Sequence, residues 1–366
     1  MKKVLLGSLM GAALGMTAGA AHAEGVSING FLTTSVARLG KSDVTYLNAF
    51  TDQPRFDNTD SRLGLQFSGD INEWMSATAQ LIARGRGGNE NIITDWAFVS
   101  ITAHDDLQIR TGKLKFPTFL ISDYYEVGYA YPWIRPPQEL YSLNPITTLV
   151  GVDALYTVPV GQANLLLQPF VGSNRGTAYV SGMQAPAFSG FGLTAGDAIN
   201  FDAPVLVGLN AALNFDIGTL RAGYLQAEVD QAAFGILGEK ADFASIGLTI
   251  DWRNVVLYAE YADRNVEKTA IANAFPDQQG AYVTLGYRFG RLLPHVTYAT
   301  MDEGKDASPL ALKQTSTTVG LRYEFLNGAA LKFEYQMIEP EKNNTGMFDT
   351  VIEDAALYGV SLDVIF

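Results

Sequence analysis

The chain has 366 residues, with 38 Asp and Glu against 25 Lys and Arg, a formal net charge of -13 and no cysteine. Scattered charge with an acidic balance lacks the basic footprint of a nucleic-acid binder, and a chain without disulfides must rely on sheet and core alone. Hydrophobic residues make up 48%, yet beyond Ala20 no run approaches the roughly 18 apolar residues that a transmembrane helix needs.

In chain order, Lys2 and Lys3 precede an apolar run from Val4 to about Ala20, and Ala21, His22 and Ala23 read as an A-x-A cleavage site. Residues 1–23 are therefore expected to be a cleaved signal peptide, and residues 24–366 the mature domain, starting at Glu24. Period-two alternation then recurs from end to end. It begins at Val26–Leu32 and returns at Arg62–Ser68. Within 281–289, Val283, Leu285, Tyr287 and Phe289 share one face, and Tyr282, Thr284, Gly286 and Arg288 the other. Within 315–325, Val319, Leu321, Tyr323 and Phe325 oppose Ser316, Thr318, Gly320 and Arg322. The last segment puts Tyr358, Val360, Leu362, Val364 and the terminal Phe366 on one face. About sixteen such segments in a row predict an all-β, transmembrane antiparallel β-barrel with its apolar faces toward lipid. The 17 Tyr and 20 Phe suit the aromatic girdles of such a barrel.

The connections alternate in length. Short ones lie at 69–73, 103–106, 159–162, 216–218, 251–254, Gly290 and 326–329. Long ones are expected at 38–60, 85–94, 117–147, 172–203, 229–240, 264–279, 301–312 and 339–354. Short periplasmic turns and long outer loops are the pattern of outer-membrane barrels. A barrel of about sixteen strands is wide enough to hold an aqueous channel.

A barrel this wide needs something to narrow it. The segment 117–141 is too aromatic and apolar for a solvated outer loop, because an exposed patch of that size is costly. Folded into the lumen, with its apolar side on the wall, it would present Asp123, Glu126, Arg135 and Glu139. Strand parity supplies the opposing wall. With Leu63, Leu65 and Phe67 toward lipid, Arg62 points inward. The same parity turns Arg84 and Arg110 inward. Lys113 then points outward, unless a bulge near Gly112 resets the alternation. Arg221, Glu260, Arg288, Arg322, Lys332 and Glu334 are also inward. Tyr124, Tyr125, Tyr129 and Tyr131 could pack the loop on the wall or line a path for sugars.

The order of signal, sixteen alternating strands, long loop after the fifth strand and terminal Phe366 resembles the general bacterial porin family, the Gram-negative trimeric porins, over essentially the whole mature chain. Arg62, Leu63 and Gly64 resemble that family's Arg-aromatic-Gly strand, which contributes a wall arginine. Thr111, Gly112 and Lys113 resemble the Gly-Arg stretch ending its fifth strand, with Lys113 in the basic position. The Pro-Glu-Phe-Gly-Gly stretch of the enterobacterial members is absent, and residues 131–137 (Tyr-Pro-Trp-Ile-Arg-Pro-Pro) stand there instead. The resemblance implies a third loop folded into the lumen, acidic loop residues facing a basic wall, and a homotrimer. It also implies passive diffusion of small hydrophilic solutes and ions, with no cofactor. The alternative is a substrate-selective channel for a sugar or an anion.

No enzyme is expected. After signal cleavage only His104 and His295 remain, and neither has a nucleophile motif beside it in sequence. The outer loops are acidic, with Asp43, Asp52, Asp57 and Asp60 in the first, Asp302, Glu303 and Asp306 in the seventh, and Glu339, Glu341, Asp349, Glu353 and Asp354 in the eighth. A solvated acidic face explains them. They could also hold divalent cations that bridge lipopolysaccharide phosphates, although no loop has calcium-loop spacing. Outer-membrane lipid and lipopolysaccharide are the expected surroundings.

Overall fold

The computed structural model describes residues 22–23, 25–56, 60–86, 89–231, 236–267 and 275–366. The expected leader lies outside the described residues except for His22 and Ala23, which pair with Ser27 and Val26. Glu24 and Asp57 also lie outside them.

Sixteen long strands follow one another: β1 (Val26–Leu39), β2 (Arg62–Asn72), β3 (Met75–Arg86), β4 (Asn89–His104), β5 (Leu107–Lys115), β6 (Thr148–Val160), β7 (Ala163–Tyr179) and β8 (Ala198–Phe215) form the first half. The second half is β9 (Gly218–Gln231), β10 (Ile236–Trp252), β11 (Val255–Val266), β12 (Gln278–Tyr287), β13 (Leu292–Glu303), β14 (Gln314–Leu326), β15 (Ala329–Pro340) and β16 (Ala355–Ile365). Each pairs with the next in one antiparallel sheet, and β16 returns to β1, from Leu357 opposite Leu39 to Ile365 opposite Phe31. Phe366 and Gly30 exchange backbone hydrogen bonds at the seam, 2.7 and 2.9 Å long. Around the barrel wall the ladder closes on itself, which removes the open edge that would pair with another chain.

The alternation sorts the two faces as a barrel in lipid requires. On β12, Val283, Leu285 and Tyr287 are 44%, 58% and 43% exposed, whereas Tyr282 and Thr284 are 4% and 0%. The apolar face is on the outside, where only hydrocarbon solvates it well. The turns at one end are tight, as the short connections predict. At the other end some strands run further than expected. β3 continues to Arg86 and β4 starts at Asn89, where 85–94 reads as loop; β7 and β8 leave only 180–197 of the expected 172–203. β9 and β10 likewise run to Gln231 and from Ile236, within the expected loop 229–240. Past the lipid band no face must be apolar, so the ladder extends without an alternating pattern to mark it. The small and polar residues Gly172, Ser173, Asn174 and Thr177 illustrate this.

The core of the molecule lies inside the barrel. The connection from Phe116 to Thr147 turns inward through two short 3-10 turns (Ser122–Tyr124 and Gly128–Ala130) and one helical turn, α1 (Gln138–Tyr141). Prolines at 117, 132, 136, 137 and 145 withhold the backbone donors that a longer helix would need. Phe119, Leu120, Ile121, Tyr131, Trp133 and Leu140 are buried against wall residues such as Phe170, Leu206, Phe243 and Tyr282. Each buried Leu or Ile there contributes about 1.5–3 kcal/mol. The α1 turn comes so close to the wall that a Cβ at Gly280 would stand 2.3 Å from the Glu139 carbonyl oxygen. Glycine is the side chain that admits it.

The face assignment makes a quantitative prediction. Val319, in the middle of β14, is 53% exposed on the outward face. Val319→Arg is expected to lower the unfolding free energy in lipid vesicles by about 2–4 kcal/mol. The inward Thr318→Val should change it far less. Denaturant titration of both variants checks this.

Candidate pore constriction

The inward loop is fastened by side chains of the far wall. Glu260 on β11 accepts from the Leu120 amide at 2.6 Å and from the Tyr141 hydroxyl at 2.9 Å. Glu334 on β15 accepts from the Ile134 amide at 2.9 Å. Lys332, fully buried, donates to the Gly128 and Trp133 carbonyls at 2.6 Å each and sits 3.1 Å from Asp363. The Trp133 indole donates to Thr284 and Thr297 on β12 and β13, both at 3.0 Å. Arg221 on β9 donates to the Leu120 carbonyl at 3.2 Å. A backbone that leaves the sheet inside a barrel must have its polar groups satisfied. Here charged and hydroxyl wall residues satisfy them.

The loop therefore leans on β9–β16, and its free edge faces β2–β6. Glu126 stands on that edge. Arg84 reaches its Oε1 at 3.2 Å, and Arg62 lies 3.4 Å from its Oε2. Arg62 also donates to the Tyr131 hydroxyl at 2.8 Å. Burial pushes the Glu126 carboxyl up, but Arg84, Arg62 and Lys115 outweigh it and hold the group below the ordinary carboxylate range. Beside this cluster, Arg135 pairs with Asp60, with Nε to Oδ1 at 3.1 Å. Lys115 pairs with Asp95 at 2.6 Å, and Gln80 donates to the same carboxylate at 2.9 Å.

The sequence-predicted residues separate into groups. Arg62, Arg84 and Glu126 meet in one cluster, with Arg135 close by across the same cavity. Arg110 points inward but is occupied by Asp153 of β6, Nε to Oδ1 at 2.9 Å. Asp123 is partly exposed and faces Arg221 at 3.6 Å. Glu139 does not reach the open lumen: it is 0% exposed, on the wall side of α1, with Gln314 donating to it at 2.8 Å. Lys113 lies on the outward face. It is opposite Val150, which is 53% exposed, and its ammonium donates to the Thr94 carbonyl. The pairing runs in register through Gly112 on both sides, and the irregularity lies on β4. There Gln80 pairs with Trp96 and Leu81 with Thr94, so Asp95 is the extra residue and turns inward beside Trp96. That bulge creates the Asp95–Lys115 pair, and strict parity hides it. Of the tyrosines, Tyr131 and Tyr129 are packed, with hydroxyls bound to Arg62 and Glu324, while Tyr125 lines the cavity.

The cavity between this constriction and the outer loops holds about 440 Å³. Five cationic side chains line it (Arg62, Arg84, Lys115, Arg135 and Arg264) against two carboxylates (Asp60 and Glu126).

The sequence pattern of the Gram-negative porin family matches residues 11–343. The chain belongs to that family: it is a channel of the bacterial outer membrane. Among solved structures, the fold is similar to an anion-selective porin from Comamonas acidovorans. The identity is 14%, with 93% of this chain and 99% of that one covered, and the TM-score is 0.62. It is also similar to OmpF of Salmonella typhi, solved in complex with daunomycin, with 17% identity, 93% and 97% coverage and a TM-score of 0.60. OmpT of Vibrio cholerae aligns over 95% of this chain and 100% of its own, at 11% identity and a TM-score of 0.59. At these identities the likeness is one of fold. No curated protein matches in sequence.

The charges on the free edge give two opposed predictions. A unit charge about 7 Å from a permeating ion in water is worth about 0.6 kcal/mol, close to threefold in local ion concentration. Replacing both Arg62 and Arg84 by Ser should shift the reversal potential in a salt gradient toward cations. Glu126→Gln should shift it toward anions, each by a permeability ratio of about threefold or more per charge. Unchanged potentials would remove these residues from the narrow zone.

Proposed function

We propose that the protein is a general diffusion porin, in which small hydrophilic solutes and ions pass down their gradients through the cavity beside the inward loop, past the cluster of Glu126, Arg84 and Arg62. The observation that carries this is the opposition of Glu126 to Arg84 and Arg62, on a loop whose other side is bound to the far wall. The cationic excess around that cluster sets the local field along the path. It favours polar and charged solutes over apolar ones, by the charged-ring logic of channel selectivity.

The excess of cations over carboxylates around the cavity supports a preference for anions, although the whole chain is acidic. Much of the acidic excess lies in outer loops, and screening limits its reach to about 8–10 Å. Selectivity for a sugar is less well supported, because Tyr129 and Tyr131 are buried and their hydroxyls are engaged. In this proposal residues 1–23 are removed on export, residues 24–366 form the barrel, and the active unit is a homotrimer in lipid and lipopolysaccharide. The family supports the trimer, as does the solved trimer form of a Vibrio cholerae outer membrane protein, OmpT.

Single-channel recording of the purified protein in planar bilayers tests this. Conductance steps in threes, a reversal potential on the anion side and no block by sugars are expected. Block by one sugar at low concentration would indicate a substrate-selective channel instead. The Glu126 carboxyl also sets a pH dependence. Its folded value is depressed, so its contribution to holding the loop is complete above the ordinary glutamate range near about 4.3 and is lost as pH falls through the lower folded value. Anion preference should therefore rise only below the ordinary glutamate range, and Glu126→Gln should reduce that rise.

A further inference from the structure

The vestibule has a roof. On its inner side the 440 Å³ cavity touches Arg62, Arg84 and Glu126; on its outer side it touches 177–182, at the tip of the β7–β8 hairpin. That hairpin bends. Ala203 pairs with Asn174 and Leu206 with Gly172, so Pro204 and Val205 together oppose Ser173. The same irregularity recurs against β9, between Asp202 and Val205. A bulge of this kind bends a strand, and it is where a proline that lacks its amide hydrogen is tolerated. Beyond the bend the paired arm continues to Tyr179 and Ala198 and carries the connection 180–197.

The tip reaches the connection between β15 and β16. A Cβ added at Gly182 would stand 2.7 Å from the Phe348 carbonyl oxygen, 2.8 Å from that of Asp349 and 2.9 Å from Thr345 Cγ2. Gly182 is thus in direct contact with that loop. The loop itself belongs to a firmly joined block. Leu47 donates its amide to Met347 O at 3.1 Å, Asp349 to Thr45 O at 3.1 Å, and Gln314 Nε2 to the Tyr46 hydroxyl at 3.2 Å. The Tyr46 and Phe348 rings pack tilted at 43°, with 4.8 Å between centroids. Among the described residues, the arm is held by a small cluster, Val180, Phe188 and Ile199, with Leu193 and with Phe275 of the 264–279 connection packed against it. Elements with few buried contacts open locally at low free-energy cost.

We propose that the outer arm of the β7–β8 hairpin is a hinged roof, pivoting at the Pro204 bulge and latched at Gly182 against the 345–349 segment, and that its position limits which solutes reach the constriction. This rests on the protein conducting at all, which recording from the unmodified protein establishes separately. The chain has no cysteine, so a single pair can be introduced cleanly. In the full-length barrel, Gly196→Cys in the arm with Asn48→Cys beside Leu47 sets two Cβ atoms 3.9 Å apart, within the roughly 3.5–4.5 Å of a disulfide. Oxidation should lower single-channel conductance and slow the entry of larger sugars into proteoliposomes, and reductant should restore both. Gly182→Leu, too large for the latch, should hold the roof off and raise the passage of those sugars above that of the unmodified protein. Failure of the disulfide to form in the folded barrel would overturn the proposal. So would equal conductance and sugar entry in its oxidised and reduced forms, or a Gly182→Leu protein with unmodified permeability.

Discussion

The architecture depends on one constraint: a loop inside a barrel has no sheet to satisfy its backbone. The lumen wall takes that role through Glu260, Glu334, Lys332 and Arg221, whose side chains bind loop amides and carbonyls. These are buried charges, and each would be costly alone. Lys332 is tolerable because two carbonyls and Asp363 surround its ammonium. Fixing one side of the loop to β9–β16 leaves the path off-centre, along β2–β6. It also sets the rotation that brings Glu126 to Arg62 and Arg84.

The charge distribution then separates two jobs. Acidic residues dominate the outer loops and the chain as a whole, while cations outnumber carboxylates around the vestibule. Screening limits the reach of exposed charges to about 8–10 Å, so the local lining weighs most in which ion is favoured. Many of the cations are already paired, Arg110 with Asp153 and Arg135 with Asp60 among them. Such pairs hold side chains in place more than they add field. The wall is consequently a rigid, hydrogen-bonded surface whose net charge comes from a few members.

The barrel was legible in the sequence because lipid on one side and loop or water on the other impose alternation on strands such as β12 and β14. The inward loop was legible because its aromatic content is incompatible with exposure. Arg62 and Arg84 followed from parity. What remained hidden depends on local departures from parity or on tertiary approach. Asp95 joins the site only because a bulge in β4 turns it inward beside Trp96. Glu139 sits in a helical turn, where period two does not apply, and it faces the wall. Lys113 fits a family motif but stays on the outward face, since β5 pairs in step with β6 through Gly112. Asp60 looked like one more acid of an outer loop and instead meets Arg135 from the inward loop. The extensions of β3, β4, β7 and β8 lie above the lipid band and carry no pattern.

Amide hydrogen exchange of the inward loop tests the account most directly. Residues 116–147 have no sheet partners along most of their length, yet the Leu120 and Ile134 amides are bound to buried wall carboxylates. If the wall fixes the loop, these two amides exchange as slowly as those in the barrel strands, and Glu260→Ala or Glu334→Ala speeds the corresponding one selectively. Exchange of both at the rate of the outer loops in the unmodified protein would contradict a fixed constriction and the charge placement built on it.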